Sequence, residues 1–190
     1  MVTHSATEIE KQIRQWLQTV VIGLNLCPFA ARPALENRVR VQVCEAPDEE
    51  AILQALEAEL CYLDQHPASE TETTLLVLSE GLRDFFDYNL FLDWADQLIR
   101  RNGWRGVYQI ASFHPDYCFA GAAEDDPENL TNRAPWPVLH LIREESLQKA
   151  LDFYPDVEAV PDNNRALMSR LTAGQQRQLF PWLFDASRRQ

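Results

Sequence analysis

Four short apolar runs, set among segments of helical periodicity, restrict the fold more than any other feature of this sequence. Each run has the length of one β-strand, and each of the first two is followed by an amphipathic segment long enough for a helix. This alternation predicts an α/β fold: a small mixed, mainly parallel sheet of about four strands with flanking helices. The runs occupy positions 38–44, 74–79, 107–113 and 138–142.

The length of the chain and its helix signals indicate a single domain. At 190 residues the sequence has the size of one ordinary domain. Ser5 and Glu8 have the spacing of a capping box, which predicts a first helix over about 6–21. We expect the α/β core to cover positions 1–160 and a C-terminal helical appendage, 161–190, to pack on it.

The acidic residues are concentrated in one part of the sequence. The formal net charge is −12, and positions 45–96 contain fourteen acidic residues and a single basic one, Arg83. Such a surface repels nucleic acid and anionic membranes, so we expect neither as a partner. The simpler interpretation of the segment is a solvated helical face, and the alternative is a docking surface for a protein partner.

Composition also indicates a cytoplasmic protein. No apolar run approaches the length that crosses a bilayer, and the first residues lack the pattern of a signal peptide. The cysteines form no C-x-x-C pair, so reduced thiols are the simplest expectation. They are Cys27, Cys44, Cys61 and Cys118.

The connection between the third and fourth runs predicts the position of a site. Positions 113–144 hold two of the four histidines and four of the eleven prolines. A connection of this length in a compact domain is usually functional or disordered, and its prolines, aromatic residues and hydrogen-bonding side chains favour order. Ligands of open α/β sheets bind beyond the carboxyl ends of the strands, where this loop begins.

Three side chains are candidates for catalysis. His114 precedes Pro115, which keeps it extended at the strand end, so it could act as a general acid or base. The alternative is that His114 caps the turn by bonding to backbone. His140 lies inside the fourth apolar run and is either a core residue or a supporting one. Cys27 would be a nucleophile only with a base such as His114 in reach; otherwise it is a buried thiol.

The case for a metal cofactor rests on the two histidines alone. Two histidines on neighbouring strands, with an acid or a thiol, would suit a divalent metal. No H-x-x-x-H or C-x-x-C spacing supports such a site, and the acidic run 124–128 lacks the pattern of a calcium loop. The sequence therefore assigns no metal ligand and leaves the cofactor open.

A compact group of amide and guanidinium side chains is the candidate anion site. Arg133 could bind a carboxylate or phosphate through two parallel bonds while Asn129 and Asn132 orient the ligand. Arg143, which follows the fourth run, is a further candidate for substrate binding. The alternative is that the asparagines shape the turn and that Arg133 pairs with a local acid.

The chain resembles a bacterial family of uncharacterised proteins, known as a domain of unknown function. The resemblance runs from the first helix to about Leu171 and implies a cytosolic bacterial protein with one domain. It supplies no activity, cofactor or catalytic residue. Four segments carry it: GLNLCPFA (23–30), FHPDYCFAG (113–121), DDPENLTNRAPWPVLHLIREESL (125–147) and DFYPDVEAVPDNNRALM (152–168).

Two functional hypotheses follow from these features. The first is a small cytosolic enzyme that acts on an anionic small molecule, with His114 as acid or base and Asn129, Asn132 and Arg133 as the anion clamp. The second is a non-catalytic interaction module that docks a protein partner on the acidic segment 45–96.

Overall fold

The computed structural model describes residues 4–152, 154 and 156–185, in which one four-stranded sheet lies between two layers of helices. This arrangement confirms the predicted α/β class. None of the helices in these ranges is both long and apolar enough to cross a membrane. The strands are β1 (Val39–Cys44), β2 (Thr73–Leu78), β3 (Tyr108–Phe113) and β4 (Val138–Arg143). The helices are α1 (Ala6–Trp16), α2 (Ala31–Leu35), α3 (Glu49–Gln65), α4 (Phe85–Arg101), α5 (Glu144–Asp152), α6 (Val160–Arg170) and α7 (Ala173–Leu179).

The direction of β4 corrects one expectation about the sheet. The strand order is β1-β2-β4-β3, and only β1 and β2 pair in parallel. β4 inserts between β2 and β3 and runs against both. The sheet is therefore mixed, as expected, but antiparallel pairs predominate over parallel ones. Since β1, β2 and β3 still share one direction, the carboxyl end of β3 lies at the same edge as theirs.

The helix ends follow the capping signals of the sequence. The Ser5 hydroxyl accepts a hydrogen bond from the Glu8 backbone N–H, and the Glu8 carboxylate accepts one from the Ser5 backbone N–H, which confirms the capping box. α1 ends at Trp16 and continues as a π-helical turn, Leu17–Ile22. Within that turn the Thr19 hydroxyl donates to the Gln15 carbonyl at 2.8 Å, a local bond that competes with regular helix geometry.

Each face of the sheet is covered by its own hydrophobic core. On one face β2 and β4 pack against α1 and against the C-terminal segment, where Met168 of α6 and Phe180, directly after α7, are fully buried. On the other face they pack against α3 and α4, where Leu56 and Tyr88 are fully buried. A strand buried on both faces has no polar side, which is why β2 reads as a continuous apolar run.

Candidate functional site

Asn129 organises the loop that connects β3 to β4. Its side chain is completely buried. The Asn129 Oδ1 atom accepts a bond from the Phe119 N–H at 3.0 Å, and Nδ2 donates to the carbonyls of Ala123 at 2.8 Å and Glu124 at 3.3 Å. All three partners are backbone groups of the same loop. Asn129 thus holds the loop together and has no donor facing a ligand.

Arg133 makes the same kind of contact. Its Nε donates to the Tyr117 carbonyl at 3.2 Å, and one terminal nitrogen donates to the Glu124 carbonyl at 2.8 Å. The guanidinium lies along the loop backbone and pairs with no acid at the loop. Its arrangement therefore matches neither the predicted anion clamp nor the predicted local ion pair.

His114 is a fully buried residue on the α4 side of the sheet. Its Nδ1 accepts a bond from the Asp116 N–H at 3.0 Å, so Nε2 carries the proton and donates to the Leu82 carbonyl at 3.3 Å. The ring lies near those of Phe85 and Tyr88, with centroid distances of 5.3 and 5.1 Å. Burial lowers the pKa of His114 and favours the neutral ring. These contacts correspond to the turn-capping alternative.

His140 lies on the opposite face of the sheet from His114. In the strand register it pairs with Leu75 of β2 and Ala111 of β3. Its Nε2 is 2.8 Å from the Thr73 hydroxyl oxygen, and burial lowers the pKa of His140 to about 4. Among the described residues, no three His, Cys, Asp or Glu side chains lie close enough together to hold a metal ion.

The titration of His140 predicts a pH-dependent stability. Because its folded pKa of about 4 is below the ordinary value of 6.5, the unfolded chain binds the proton more readily. The free energy of unfolding should therefore fall by on the order of 2 kcal/mol as the pH decreases from 6.5 to 4. Urea denaturation at pH 7.5, 5.5 and 4.5 should show this decrease in the free energy of unfolding for the wild type and a smaller decrease for His140→Gln.

Thr73→Val is the control for that measurement, because it removes the hydroxyl beside His140 and leaves the burial in place. Its pH slope should match that of the wild type. If His140→Gln lost as much stability as the wild type between pH 7.5 and 4.5, His140 would not be the source of the pH dependence.

Arg143 lies at the far end of β4 from the loop. Its guanidinium donates to the carbonyls of Leu63 at 2.8 Å, His66 at 2.6 Å and Thr71 at 3.1 Å, and to the Tyr108 hydroxyl at 3.3 Å. The length of the strand, about 17 Å, separates it from the loop. Arg143 thus satisfies carbonyls in and after the C-terminal turn of α3 and does not contribute to a site at the loop.

A cleft of ≈ 510 Å³ lies where β3 ends, between the loop, the 23–30 segment and α6. Its apolar wall includes Phe113, Phe119 and Val160. Of the predicted site residues, the structure brings Cys27 and Asn132 to this cleft, whereas His114, His140, Asn129, Arg133 and Arg143 are absent from its lining. Its polar lining consists of Cys27, Glu128, Thr131, Asn132, Asn164 and Arg165.

The Cys27 thiol is an unfavourable nucleophile in this setting. Burial raises its pKa, and the opposing hydrogen bonds from the Phe29 and Ala30 backbone N–H groups have a smaller effect. Among the residues that the structure describes, no histidine lines the cleft to act as its base. The thiol is therefore protonated at neutral pH and contributes a small, weakly polar wall.

A pair of opposite charges borders the cleft. Arg165 forms an ion pair with Asp162 of the same helix, and its Nη1 lies 4.0 Å from the Glu128 carboxylate.

The two amide side chains of the cleft donate to backbone carbonyls. The Asn164 Nδ2 donates to the Leu26 carbonyl at 2.8 Å, a bond that joins α6 to the 23–30 segment. The Asn132 Nδ2 donates to the Ser112 carbonyl at 3.1 Å.

Sequence reasoning missed Glu128, Asn164 and Arg165 as site residues. Glu128 belongs to the acidic run 124–128, which was considered only as a calcium loop, and the other two belong to the DNNRALM segment, for which no role was predicted. A signal was nevertheless present, since the four segments that carry the family resemblance supply every lining residue except Val21.

A protein-family model described as "Protein of unknown function (DUF1415)" matches residues 8–178. The match confirms the family resemblance expected from the sequence. No curated protein and no solved structure matches the chain.

Proposed function

The chain belongs to the DUF1415 family, and we propose that it acts on a small molecule with an anionic group and an apolar portion, bound in the cleft at the end of β3. The observation that supports this most directly is the composition of the cleft. A guanidinium, a carboxylate and two amides line the same ≈ 510 Å³ space as a wall of aromatic and aliphatic side chains. Sites for small organic ligands combine a mostly apolar lining with a few polar groups in this way.

Arg165 is the residue that would bind the anionic group. Its side chain is 57% exposed, and its ion pair with Asp162 occupies only part of the guanidinium. The 4.0 Å separation from Glu128 is too long for a hydrogen bond. Since a guanidinium carries five N–H donors, Arg165 keeps donors for the oxygens of a carboxylate or phosphate.

Glu128 replaces His114 as the acid–base group in this proposal. It is the carboxylate of the cleft lining, and its side chain is 27% exposed. It can accept a hydrogen bond from a hydroxyl or ammonium group of the ligand, and it can take up a proton from it. His114 has both ring nitrogens bonded to backbone and does not line the cleft.

Replacement of Arg165 by glutamine tests the anion contact. The probes are lactate, mandelate, phenylalanine and phenyl phosphate, each titrated into the full chain by calorimetry. For the probe that binds best, we expect Arg165→Gln to weaken binding about 10- to 100-fold, because a hydrogen bond to a charged group contributes about 1.5–3 kcal/mol.

Arg170→Gln is the matched control, since Arg170 is an exposed arginine of the same helix outside the cleft. Its affinity should equal that of the wild type. The proposal would be contradicted if Arg165→Gln bound the probe as tightly as the wild type does, or if Arg165→Gln and Arg170→Gln lost the same affinity.

Glu128→Gln should weaken mandelate binding more than binding of phenylacetate, which lacks the hydroxyl donor.

A further inference from the structure

Helix α4 carries an apolar stripe that the fold leaves exposed. Phe86, Leu90 and Trp94 are 69%, 51% and 50% exposed. Spaced four residues apart, they form a ridge about 12 Å long on one side of the helix. The opposite side of α4 packs into the core through Tyr88, Phe91, Ala95 and Ile99. Single exposed apolar residues are ordinary, whereas a contiguous exposed apolar patch is a candidate interaction surface.

Acidic residues border the stripe on both sides. At 3.6 residues per turn, Asp87 projects beside one side of the ridge and Asp93 beside the other. Both are exposed. They belong to the segment 45–96, in which Arg83 is the single basic residue. The surface therefore combines an apolar ridge with negative charge along its margins.

We propose that this surface, the α4 stripe with Asp87 and Asp93, docks a basic amphipathic helix of a partner protein. Rows of side chains four residues apart pack into the grooves of a second helix, so the ridge suits a helical partner. Lysine or arginine residues that flank the partner's apolar face would lie against the two aspartates. Charge complementarity thus specifies the partner: apolar on one face and basic at its edges.

A second copy of the chain is a poorer occupant. A twofold antiparallel pairing centred on Leu90 would set Asp87 of one copy against Asp93 of the other. The negative charge disfavours anionic membranes and nucleic acid for the same electrostatic reason.

The docking surface is independent of the cleft. α4 covers one face of the sheet, whereas the cleft is formed on the other side with α6. The proposal therefore extends beyond small-molecule binding, and it gives the acidic segment a defined apolar contact.

The test uses two fluorescein-labelled 18-residue peptides with leucine along one helical face. One carries lysine at its remaining positions, and the other carries glutamate. Fluorescence anisotropy with the full chain should show micromolar binding of the lysine peptide and no binding of the glutamate peptide. The double variant Leu90→Gln, Trp94→Gln keeps the charge and should weaken binding of the lysine peptide at least tenfold.

Asn163→Gln is the matched control, because it introduces glutamine at an exposed polar position of α6, away from the stripe; it should bind like the wild type. Phe86→Gln alone should weaken binding about threefold or more and serves if the double variant does not fold. If the stripe variants bound the lysine peptide as tightly as the wild type does, charge alone would account for the binding, and the proposal would be overturned. A wild-type dimer in sedimentation that Leu90→Gln, Trp94→Gln abolishes would also overturn it, because the occupant would be a second copy.

Discussion

Replacement of Asn129 by aspartate is expected to lower the free energy of unfolding by about 3 kcal/mol. Aspartate keeps the oxygen that accepts from the Phe119 N–H, but it loses the donors that reach the carbonyls of Ala123 and Glu124. It also places a carboxylate against two carbonyl oxygens in a fully buried position. Each buried group left unsatisfied costs about 1–3 kcal/mol. Urea denaturation followed by tryptophan fluorescence measures the loss.

Asn102→Asp provides the matched comparison. The Asn102 amide also donates to a carbonyl, that of Leu98 at 3.2 Å, but at an exposed helix end. Its replacement should cost less than about 1 kcal/mol, since water satisfies the freed carbonyl. Equal losses in the two variants would show that burial of Asn129 does not stabilise the loop. Since Asn129 fixes Phe119, a wall of the cleft, the Asn129 variant should also weaken ligand binding.

Replacement of Arg143 by methionine is expected to lower the free energy of unfolding by a similar amount, about 3 kcal/mol. The Arg143 guanidinium satisfies the carbonyls of Leu63, His66 and Thr71 at once, and methionine replaces only its apolar stem. Arg143→Lys should lose most of the same energy, because an ammonium does not reproduce the fork of donors. Chemical denaturation of all three proteins checks this.

Arg14→Met is the control for a charge effect alone. Arg14 forms an exposed ion pair with Glu10, and such pairs contribute less than about 0.5 kcal/mol. Ligand affinity at the cleft should be unchanged in Arg143→Met, since Arg143 lies at the other end of the sheet. Unchanged stability together with weakened ligand binding would support the substrate-binding role that the sequence suggested for Arg143.

Local and long-range causes of structure are separated most clearly at α4 and β4. The bounds of α4, Phe85 to Arg101, follow from the periodicity of its apolar residues and from Asp84, which caps its first turn. The place of β4 does not follow from such local signals. Its apolar run is compatible with either direction, and only packing between β2 and β3 selects the antiparallel one.

By itself, the sequence determined which segments form helices and strands, because caps and hydrophobic periodicity act between residues close in the chain. It also indicated that the connection after β3 is ordered and that it begins at the carboxyl end of a strand. Only the tertiary structure decided which polar side chains line the cleft. Asn129 and Arg133 turn inward because unpaired loop carbonyls are costly, whereas Asn164 and Arg165 reach the cleft because α6 packs beside the loop. Those contacts join distant parts of the chain, and no local spacing encodes them.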